Sequence, residues 1–322
     1  MKKTTMVVFA ATVLWWSSGC AMLDGLVKTS VSDGDARMNL GEYKGLKHAV
    51  GCKDFENQSG WSGHWDLGRN LSIMLESALY DTGRFVIVER EKLNDVLAEQ
   101  DLVASGRTAK AKKVAQTGLV RPAKYLATGA VTVAEEGTSG GGGGISIKGV
   151  RIGGGAGSAT ITIIAKLIDT TTGQVVQKKT ITGKAGRVNF NLGLSVKGVH
   201  TDLGAFAKSP MGSAAQDCIN QAAKFFAEAM AKIPFDASVV KVSDGKVIIN
   251  RGSEHGIEEG MEMTMREEGE LLTDPDSGEV LGTEEGKVLG RLKVTRVLEK
   301  MSYCEVLEGD KNPSPGTLVT SK

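Results

Sequence analysis

The residue with the clearest chemical assignment is Cys20. It follows a patch of small residues, 17–19, and an apolar run, Met6 to Trp16, with two lysines near the start of the chain. The apolar run is shorter than the about 20 residues that cross a bilayer, so the pattern predicts a secretory signal peptide over residues 1–19. We expect the thiol of Cys20 to receive diacylglycerol and Cys20 to become the mature N-terminus. The alternative is ordinary cleavage that leaves Cys20 as a free thiol.

The residues around Cys20 also predict a location. The Gly-Cys ending resembles a lipobox, although Ser17 stands where that motif favours leucine. Several acyl chains on one residue would anchor the protein firmly, because each buried CH₂ contributes about 0.8 kcal/mol. The next residue is Ala21, whereas an aspartate there favours retention at the inner membrane in lipoproteins. We therefore expect a bacterial outer-membrane lipoprotein whose domains lie in the periplasm, with outer-membrane lipid as a partner.

No other set of side chains predicts chemistry. The four histidines are scattered along the chain, and the remaining cysteines have neither CxxC spacing nor a histidine at zinc-ligand distance (His48, His64, His200, His255; Cys52, Cys218, Cys304). We therefore expect no enzyme activity, no catalytic residue, no metal and no cofactor besides the acyl anchor. The three cysteines are expected to be small buried hydrophobes. A disulfide among them is an alternative in the periplasm, but the sequence does not pair them.

The distribution of charge predicts two domains with a boundary near Pro234. Residues 235–322 contain 18 acidic and 11 basic side chains, whereas residues 1–234 contain 20 acidic and 28 basic ones. We predict a domain over residues 20–234 and a second over 235–322. Neither has a basic patch interleaved with aromatic residues, so we expect no nucleic acid as a partner.

Alternating helix and strand patterns occupy the first of these domains. Apolar residues at helical spacing predict a helix from Leu67, with Asp66 as its N-cap and Gly83 as its left-handed C′ residue. A strand is predicted over 85–88. A second helix is predicted over Glu91 to Asp101, with Leu93, Val96 and Leu97 facing inward. Further strands are predicted over 125–133, 159–168 and 174–181, and a long helix starts at Ser209-Pro210. This order predicts an α/β domain with a layered core.

Two segments between these strands are unusual, a glycine-rich one near 139–158 and a second near 183–208. The second alternates apolar with polar or small residues over about ten positions, which is the period and length of a transmembrane strand. Its apolar positions are Val188, Phe190, Leu192, Leu194 and Val196. Lys148-Gly149 and Lys197-Gly198 are predicted as hairpin tips. By periodicity alone, surface hairpins of a soluble sheet fit equally well.

The run LESALYDTGRFVIVER over residues 75–90, with Leu93 to Asp101, resembles the curli-secretion channel family (CsgG/HfaB-like). The order that follows is also similar: a strand ending in Gly129, a Ser-Gly-Gly hairpin, the turn 169–174, a second hairpin and a helix carrying Cys218. The resemblance covers roughly residues 40–233. It implies a periplasmic α/β domain with two inserted β-hairpins that form part of an oligomeric transmembrane β-barrel.

The resemblance also implies a function. Two hairpins from one chain leave open strand edges, and unpaired backbone groups in lipid cost several kcal/mol each. Only a ring of subunits pairs every edge and completes the barrel. The family implies a ring of about nine subunits. Its expected role is passive export or anchoring of unfolded curli-like fibre or adhesin subunits, without nucleotide, with periplasmic accessory proteins as further partners. The alternative is a non-channel periplasmic lipoprotein that serves flagellar-ring or cell-wall assembly as a structural accessory.

Channels of this family narrow at a loop between the first strand and the first long helix, which carries aromatic and amide side chains. Here the loop runs from Phe55 to Trp65, and the resemblance makes Phe55, Asn57, Trp61 and Trp65 candidates for the constriction. The loop departs from that of the curli channel itself. The alternative is that the tryptophans pack on the domain or at a subunit contact.

The second domain is predicted to be a small β-barrel or sandwich. Short strands at 239–242, 246–250, 261–266, 288–297 and 303–307 are separated by glycine-containing turns. Residues 249–261 resemble the C-terminal domain of the flagellar outer-membrane-ring protein FlgT. We expect an all-β interaction module in the periplasm.

Overall fold

A computed structural model describes residues 40, 43–109, 114–137, 145–147, 150–152, 158–185, 201–278 and 280–321. Two hydrophobic cores organise these residues. The first belongs to a mixed α/β unit and the second to a closed barrel formed by the later strands.

The α/β unit combines four helices with a mixed sheet. The helices are α1 (Leu67–Asp81), α2 (Leu93–Ala104), α3 (Thr201–Ala207) and α4 (Pro210–Met230). The strands are β1 (His48–Cys52), β2 (Glu56–Asn57), β3 (Phe85–Val88), β4 (Tyr125–Glu136), β5 (Ile145–Ile147), β6 (Val150–Ile152), β7 (Ala159–Asp169) and β8 (Val175–Lys184). The main sheet has the order β3-β1-β4-β7-β8, and β2 extends alongside β4.

The sheet combines parallel and antiparallel pairs. β1 runs parallel to both β3 and β4, and α1 and α2 lie in the connections that these parallel neighbours require. β4, β7 and β8 form an antiparallel meander. Ile161, Ile163 and Leu167 on β7 are fully buried, whereas the alternating Thr162 and Ile164 are partly exposed. α1 and α4 pack on the face that carries these buried side chains, whereas the alternate side chains of β7 on the opposite face are partly exposed.

Local signals in the sequence placed the helix ends correctly. The side chain of Asp66 accepts a hydrogen bond from the backbone N–H of Arg69 at 3.1 Å, and Gly83 has φ of 64°. Ser209 caps α4 by accepting a hydrogen bond from the N–H of Gly212 at 3.0 Å. These predictions are confirmed because each depends on a few neighbouring residues.

Two predictions for this unit are wrong. Val96 and Leu97 on α2 do not face inward, since they are 40% and 41% exposed. An apolar stripe shows which face of a helix is apolar, but it does not show that the same chain covers that face. The second hairpin segment is also shorter than the predicted 183–208, because β8 runs to Lys184 and α3 begins at Thr201.

The barrel has its own core. Its unit contains β9 (Asp236–Ser243), β10 (Lys246–Ile249), β11 (Glu262–Arg266), β12 (Leu271–Thr273), β13 (Val280–Thr283), β14 (Val288–Val297), β15 (Ser302–Gly309) and β16 (Leu318–Ser321). Six of these close in the order β10-β15-β14-β11-β16-β9, and β12 and β13 form a separate two-stranded arm. The predicted β-rich fold is confirmed as a barrel, although β12, β13 and β16 escaped prediction.

The described residues contain three free cysteines, Cys52, Cys218 and Cys304, and all three are buried as predicted. Within the same residues, no group of His, Cys, Asp and Glu side chains is placed to hold a metal ion. Among the described helices, none combines the length and apolar character that crossing a bilayer requires.

Candidate functional site

One end of the main sheet brings together the starting points of the two unusual segments. Glu136 on β4 lies opposite Ala159 on β7, and Thr160 lies opposite Lys184 on β8. Beyond the strands, the N–H of Gly137 donates to Ser158 O at 2.8 Å and the N–H of Ala185 donates to Ala159 O at 2.9 Å. The antiparallel ladder therefore continues to residues 137, 158 and 185. Both segments start from adjacent strands at the same end of the sheet.

The second segment is fixed to the helical layer at both of its ends. Where it begins, the N–H of Lys184 donates to the carboxylate of Asp217 on α4 at 3.0 Å. Where it ends, α3 inserts Leu203 and Phe206, which are 4% and 0% exposed, into the core. Residues 186–200 are thus bracketed by two packed points.

The loop between β2 and α1 lies at this same end of the sheet. β2 runs parallel to β4, and the N–H of Gln58 donates to Val131 O at 2.9 Å. Asn57 organises the loop: its Oδ1 accepts hydrogen bonds from the N–H and hydroxyl of Ser59 at 3.2 and 2.7 Å, and its Nδ2 donates to Trp61 O at 3.3 Å. The asparagine is exposed, so its side chain shapes the loop from the solvent side.

Phe55 is a correction to the predicted constriction. It is only 3% exposed, its carbonyl oxygen lies directly against Gly68, and a Cβ on Gly129 would come within 2.7 Å of its ring. Two glycines distant in sequence therefore make the space that the phenylalanine fills. Its ring is part of the core and is not available to line an opening.

Both tryptophans contact the α/β unit. Trp65 packs edge-on against Phe206 of α3 with ring centroids 5.5 Å apart, and Trp61 is partly buried against the same core. The indole Nε1 of Trp61 has no hydrogen-bond partner in the structure. The two rings are therefore held in place at the sheet end from which the segments depart. Asn57, Trp61 and Trp65 stay predicted constriction residues.

Several predicted site residues lie outside the described part of the chain. These are Cys20, the apolar positions of the second segment and both hairpin tips (Val188, Phe190, Leu192, Leu194, Val196; Lys148, Gly149, Lys197, Gly198). In the first segment β5 and β6 are described and pair antiparallel, with Ile147 opposite Val150. The assignments for all of these residues stay predictions.

A second notable place, which sequence reasoning missed, is the junction between the sheet and the barrel. The N–H of Lys47 donates to His255 O at 2.8 Å. Two ion pairs also cross the junction, Arg121 with Glu254 and Lys124 with Asp236, each at 2.7 Å. The partners of each pair are more than a hundred positions apart, so no local motif could have revealed them.

Two histidines face this junction. The imidazole Nε2 of His48 lies 3.2 Å from Ile233 O, and the ring packs edge-on against Phe235. Burial lowers the pKa of His48. Burial, reinforced by the guanidinium of Arg251, lowers the pKa of His255 to about 4 despite the nearby carboxylate of Glu254. Both rings are therefore neutral at pH 7.

Comparison with known proteins gives a family match. The chain matches the sequence profile of the curli production assembly/transport component CsgG over residues 39–261, which extends past residue 233 into the barrel. Among curated proteins no match was found.

Solved structures that match part of the chain are distant in sequence. A hypothetical protein from Chlamydia trachomatis is 10% identical with a TM-score of 0.34, covering 58% of this chain and 99% of that one. The PelC dodecamer from Paraburkholderia phytofirmans is 16% identical with a TM-score of 0.28, covering 56% and 89%. A lipoprotein from Neisseria meningitidis is 14% identical with a TM-score of 0.24, covering 50% and 92%.

Proposed function

The chain belongs to the family of the curli production assembly/transport component CsgG, and from this premise we propose that it is an oligomeric outer-membrane lipoprotein channel. It exports or anchors unfolded curli-like fibre or adhesin subunits, moves them passively and uses no nucleotide. It has no enzyme activity. The lipid on Cys20 holds it at the outer membrane, and the α/β unit and the barrel lie in the periplasm.

The observation that carries this proposal is the common origin of the two segments. They leave the sheet beside each other, from strands already joined by backbone hydrogen bonds at Gly137, Ser158 and Ala185. Two hairpins that continue these strands would form one curved sheet with two open edges. In lipid such edges must be paired, so identical neighbours on either side must complete a barrel around a pore. The ring of about nine subunits is taken from the family.

Exposed apolar side chains on the described residues support contact between subunits. The 12-residue helix α2 exposes Val96, Leu97 and Leu102, each about 40% accessible, and buries only Gln100. On the face of β7 opposite α4, Thr162 and Ile164 are also partly exposed. Apolar surface of this kind on a family of oligomers supports contact with a neighbouring subunit.

The loop supplies the narrowest point of the proposed channel. Asn57, Trp61 and Trp65 lie at the sheet end from which the hairpins depart, so a ring would arrange them around the entrance. Trp65 is fixed against Phe206, and Asn57 is fixed within the loop by its three hydrogen bonds. A rigid ring of indoles and amides would contact an unfolded chain without binding any one sequence.

Single cysteines introduced along residues 188–196 test the proposal. We expect positions 188, 190, 192, 194 and 196 to react with a lipid-soluble reagent and the positions between them with an aqueous one. The wild-type chain is a matched control, since its own described thiols are buried. Reconstituted protein should conduct ions across a planar bilayer, and replacement of residues 186–200 by a short Gly-Ser linker should abolish conductance. Uniform aqueous reactivity, or wild-type protein that leaves bilayers silent, would refute the channel.

The second candidate is a periplasmic accessory lipoprotein without a channel, in flagellar-ring or cell-wall assembly. The observation that favours it is the two-stranded arm β12–β13, which extends the β11–β14 pair beyond the barrel and exposes Leu272, Val280 and Leu281. Exposed apolar residues on a projecting arm suit a protein partner. A detergent-solubilised molecule that is a single subunit and does not conduct would favour this function over the first.

A further inference from the structure

The junction between the sheet and the barrel encloses a cavity of about 280 Å³. The α/β unit lines it with Lys47, His48 and Lys124, and the barrel unit lines it with Asp236, Arg251 and His255. These side chains come from five separate stretches of sequence. The cavity therefore exists only when the two units are in contact.

Positive charge exceeds negative charge around this cavity. Lys47, Lys124 and Arg251 are cations, and Asp236 is the carboxylate among the lining residues. The charge of Asp236 is already matched, because its Oδ2 lies 2.7 Å from Nζ of Lys124. Nearby, Glu254 is likewise paired with Arg121 at 2.7 Å. Two cations, Lys47 and Arg251, remain in excess.

Most of the hydrogen-bond donors of Arg251 have no partner among the described residues. Among the described residues its guanidinium makes one hydrogen bond, from Nη1 to the carbonyl oxygen of Asn250 at 3.1 Å, and no ion pair. Burial lowers the pKa of this side chain, which means that the cation is partly withdrawn from water. A planar guanidinium with free donors in a partly desolvated place is the group best suited to a bidentate oxyanion.

His255 gives a second and independent observation. The residue is 6% exposed, and its buried Nδ1 has no hydrogen-bond partner within the part of the chain that the structure describes. This nitrogen lies 3.3 Å from Oε1 of Glu254, but the angle does not meet the geometry of a hydrogen bond. A buried polar atom without a partner is uncommon in folded proteins and indicates a missing ligand or water.

We propose that this cavity is a binding site for a small oxyanion, a phosphate or carboxylate group, held by the guanidinium of Arg251 with support from Lys47. An anion there replaces the water that these cations lose on burial, which otherwise costs free energy. Its ligands come from both units, so occupancy ties the barrel to the sheet. The site does not depend on the channel, because every residue in it lies outside the two predicted hairpin segments.

Isothermal titration of the full-length, detergent-solubilised protein with sodium phosphate, and separately with sodium acetate, at constant ionic strength tests the site. We expect saturable binding of at least one anion to the wild type and at least a tenfold loss of affinity in Arg251→Gln. The matched control is Arg296→Gln, which removes a barrel arginine that lies over Tyr303 and outside the cavity. That variant should bind as the wild type does.

A second variant covers the case in which Arg251→Gln unfolds the junction. Lys47→Gln keeps the hydrogen bond that its own backbone N–H gives to His255 O, so it should fold and bind severalfold more weakly. Circular dichroism reports the folding of each variant. Absence of saturable binding of both anions to the wild type overturns the proposal. Equal affinity in the wild type and every folded variant of Arg251 and Lys47 overturns it as well.

Discussion

The three described cysteines are enclosed by apolar side chains, and this burial controls their reactivity. It raises the pKa of Cys218 and of Cys304 to about 12 and raises that of Cys52 as well. The thiolate is the nucleophile in alkylation and disulfide exchange, so a thiol that stays protonated and enclosed is inert. Their role is packing, and this conclusion bears directly on Cys20.

A thiol count distinguishes a lipidated Cys20 from a free one. The chain has four cysteines in total. We expect native mature protein to show no thiol that reacts with an aqueous maleimide, and urea-denatured protein to show three. The fourth sulfur is unreactive because the acyl anchor has made it a thioether. Mass spectrometry of the N-terminal peptide is the control, and a fourth reactive thiol would mean that Cys20 carries no lipid.

Gly183 shows how one residue type can be dictated by close packing. It lies on β8 under α4, and a Cβ there would overlap the carbonyl oxygen of Ala214 and lie 2.7 Å from Cβ of Cys218. We expect Gly183→Ala to lower the free energy of unfolding by about 1–3 kcal/mol, the usual cost of overpacking. Gly204→Ala is the control, since open space surrounds that glycine on α3. Urea unfolding followed by circular dichroism measures both, and equal midpoints for the two variants would contradict the argument.

Residues whose roles are local could be predicted from the sequence. Asp66 and Ser209 are caps because of the residues that follow each of them. Phe55 could not be predicted, since its burial depends on Gly68 and on Gly129, which reach it through the fold. Its aromatic type was equally compatible with a pore lining and with a core. Only packing against distant glycines decided between them.

At the scale of elements, α2 is unusual because the described residues bury very little of its surface. Its 12 residues carry an apolar stripe, yet Val96, Leu97 and Leu102 remain exposed. Isolated helices of this length are marginal in water, so tertiary or quaternary contacts normally stabilise them. The proposed ring would supply these contacts.

Polar substitutions on α2 should separate folding from assembly. We expect Val96→Ser with Leu97→Gln to change the free energy of unfolding of the subunit by less than about 0.5 kcal/mol per residue, as at other exposed positions. The same double variant should shift the detergent-solubilised protein toward smaller species in light scattering coupled to size exclusion. Tyr80→Ser, at an exposed aromatic residue on α1, is the control. An unchanged oligomer in the double variant would show that α2 lies outside the subunit contacts.

Elements with strong periodicity were predictable, and short ones were not. The long helices and the strands of the sheet and barrel carry repeating apolar positions. α3 was assigned to a hairpin because its seven residues, TDLGAFA, are too few to show a helical period. β16 was missed because its four residues become a strand by closing the barrel between β11 and β9.

At the scale of the whole molecule, the junction couples the stability of the sheet and the barrel to pH. His48 and His255 face it together with the cations Lys47, Lys124, Arg121 and Arg251 and the carboxylates of Asp236 and Glu254. Charging either imidazole would add positive charge to a site that already has an excess. The folded protein therefore resists protonation of both rings.

This resistance makes acid destabilising. In the unfolded chain each imidazole takes up a proton near pH 6.5, whereas folded His255 does so only at about pH 4. Between these values the unfolded state binds more protons, so the free energy of unfolding should fall as the pH drops from about 6.5 toward 4. Urea midpoints at pH 7.5 and 5.0 measure the effect. His255→Gln should reduce the pH dependence, and an unaltered dependence in that variant would assign the effect to other groups.

Charge segregation along the sequence predicted an acidic module after Pro234, but it could not predict how that module meets the sheet. Two ion pairs join them, Arg121 with Glu254 and Lys124 with Asp236. The chain contains many other acidic and basic residues. Many other pairings were equally plausible from composition. The cavity between the units depends on those contacts, so it could not be predicted from the sequence either.

The pairing of β16 with both β9 and β11 has a consequence for export of this protein itself. In the proposed periplasmic location, the barrel strands cross the inner membrane in chain order, so the gap between β9 and β11 stays unfilled until residues 318–321 arrive. Until then two backbone edges are available to any extended polypeptide nearby. A chain exported in this way would need a chaperone, or very rapid closure, to prevent another polypeptide from pairing with the open edges of β9 and β11.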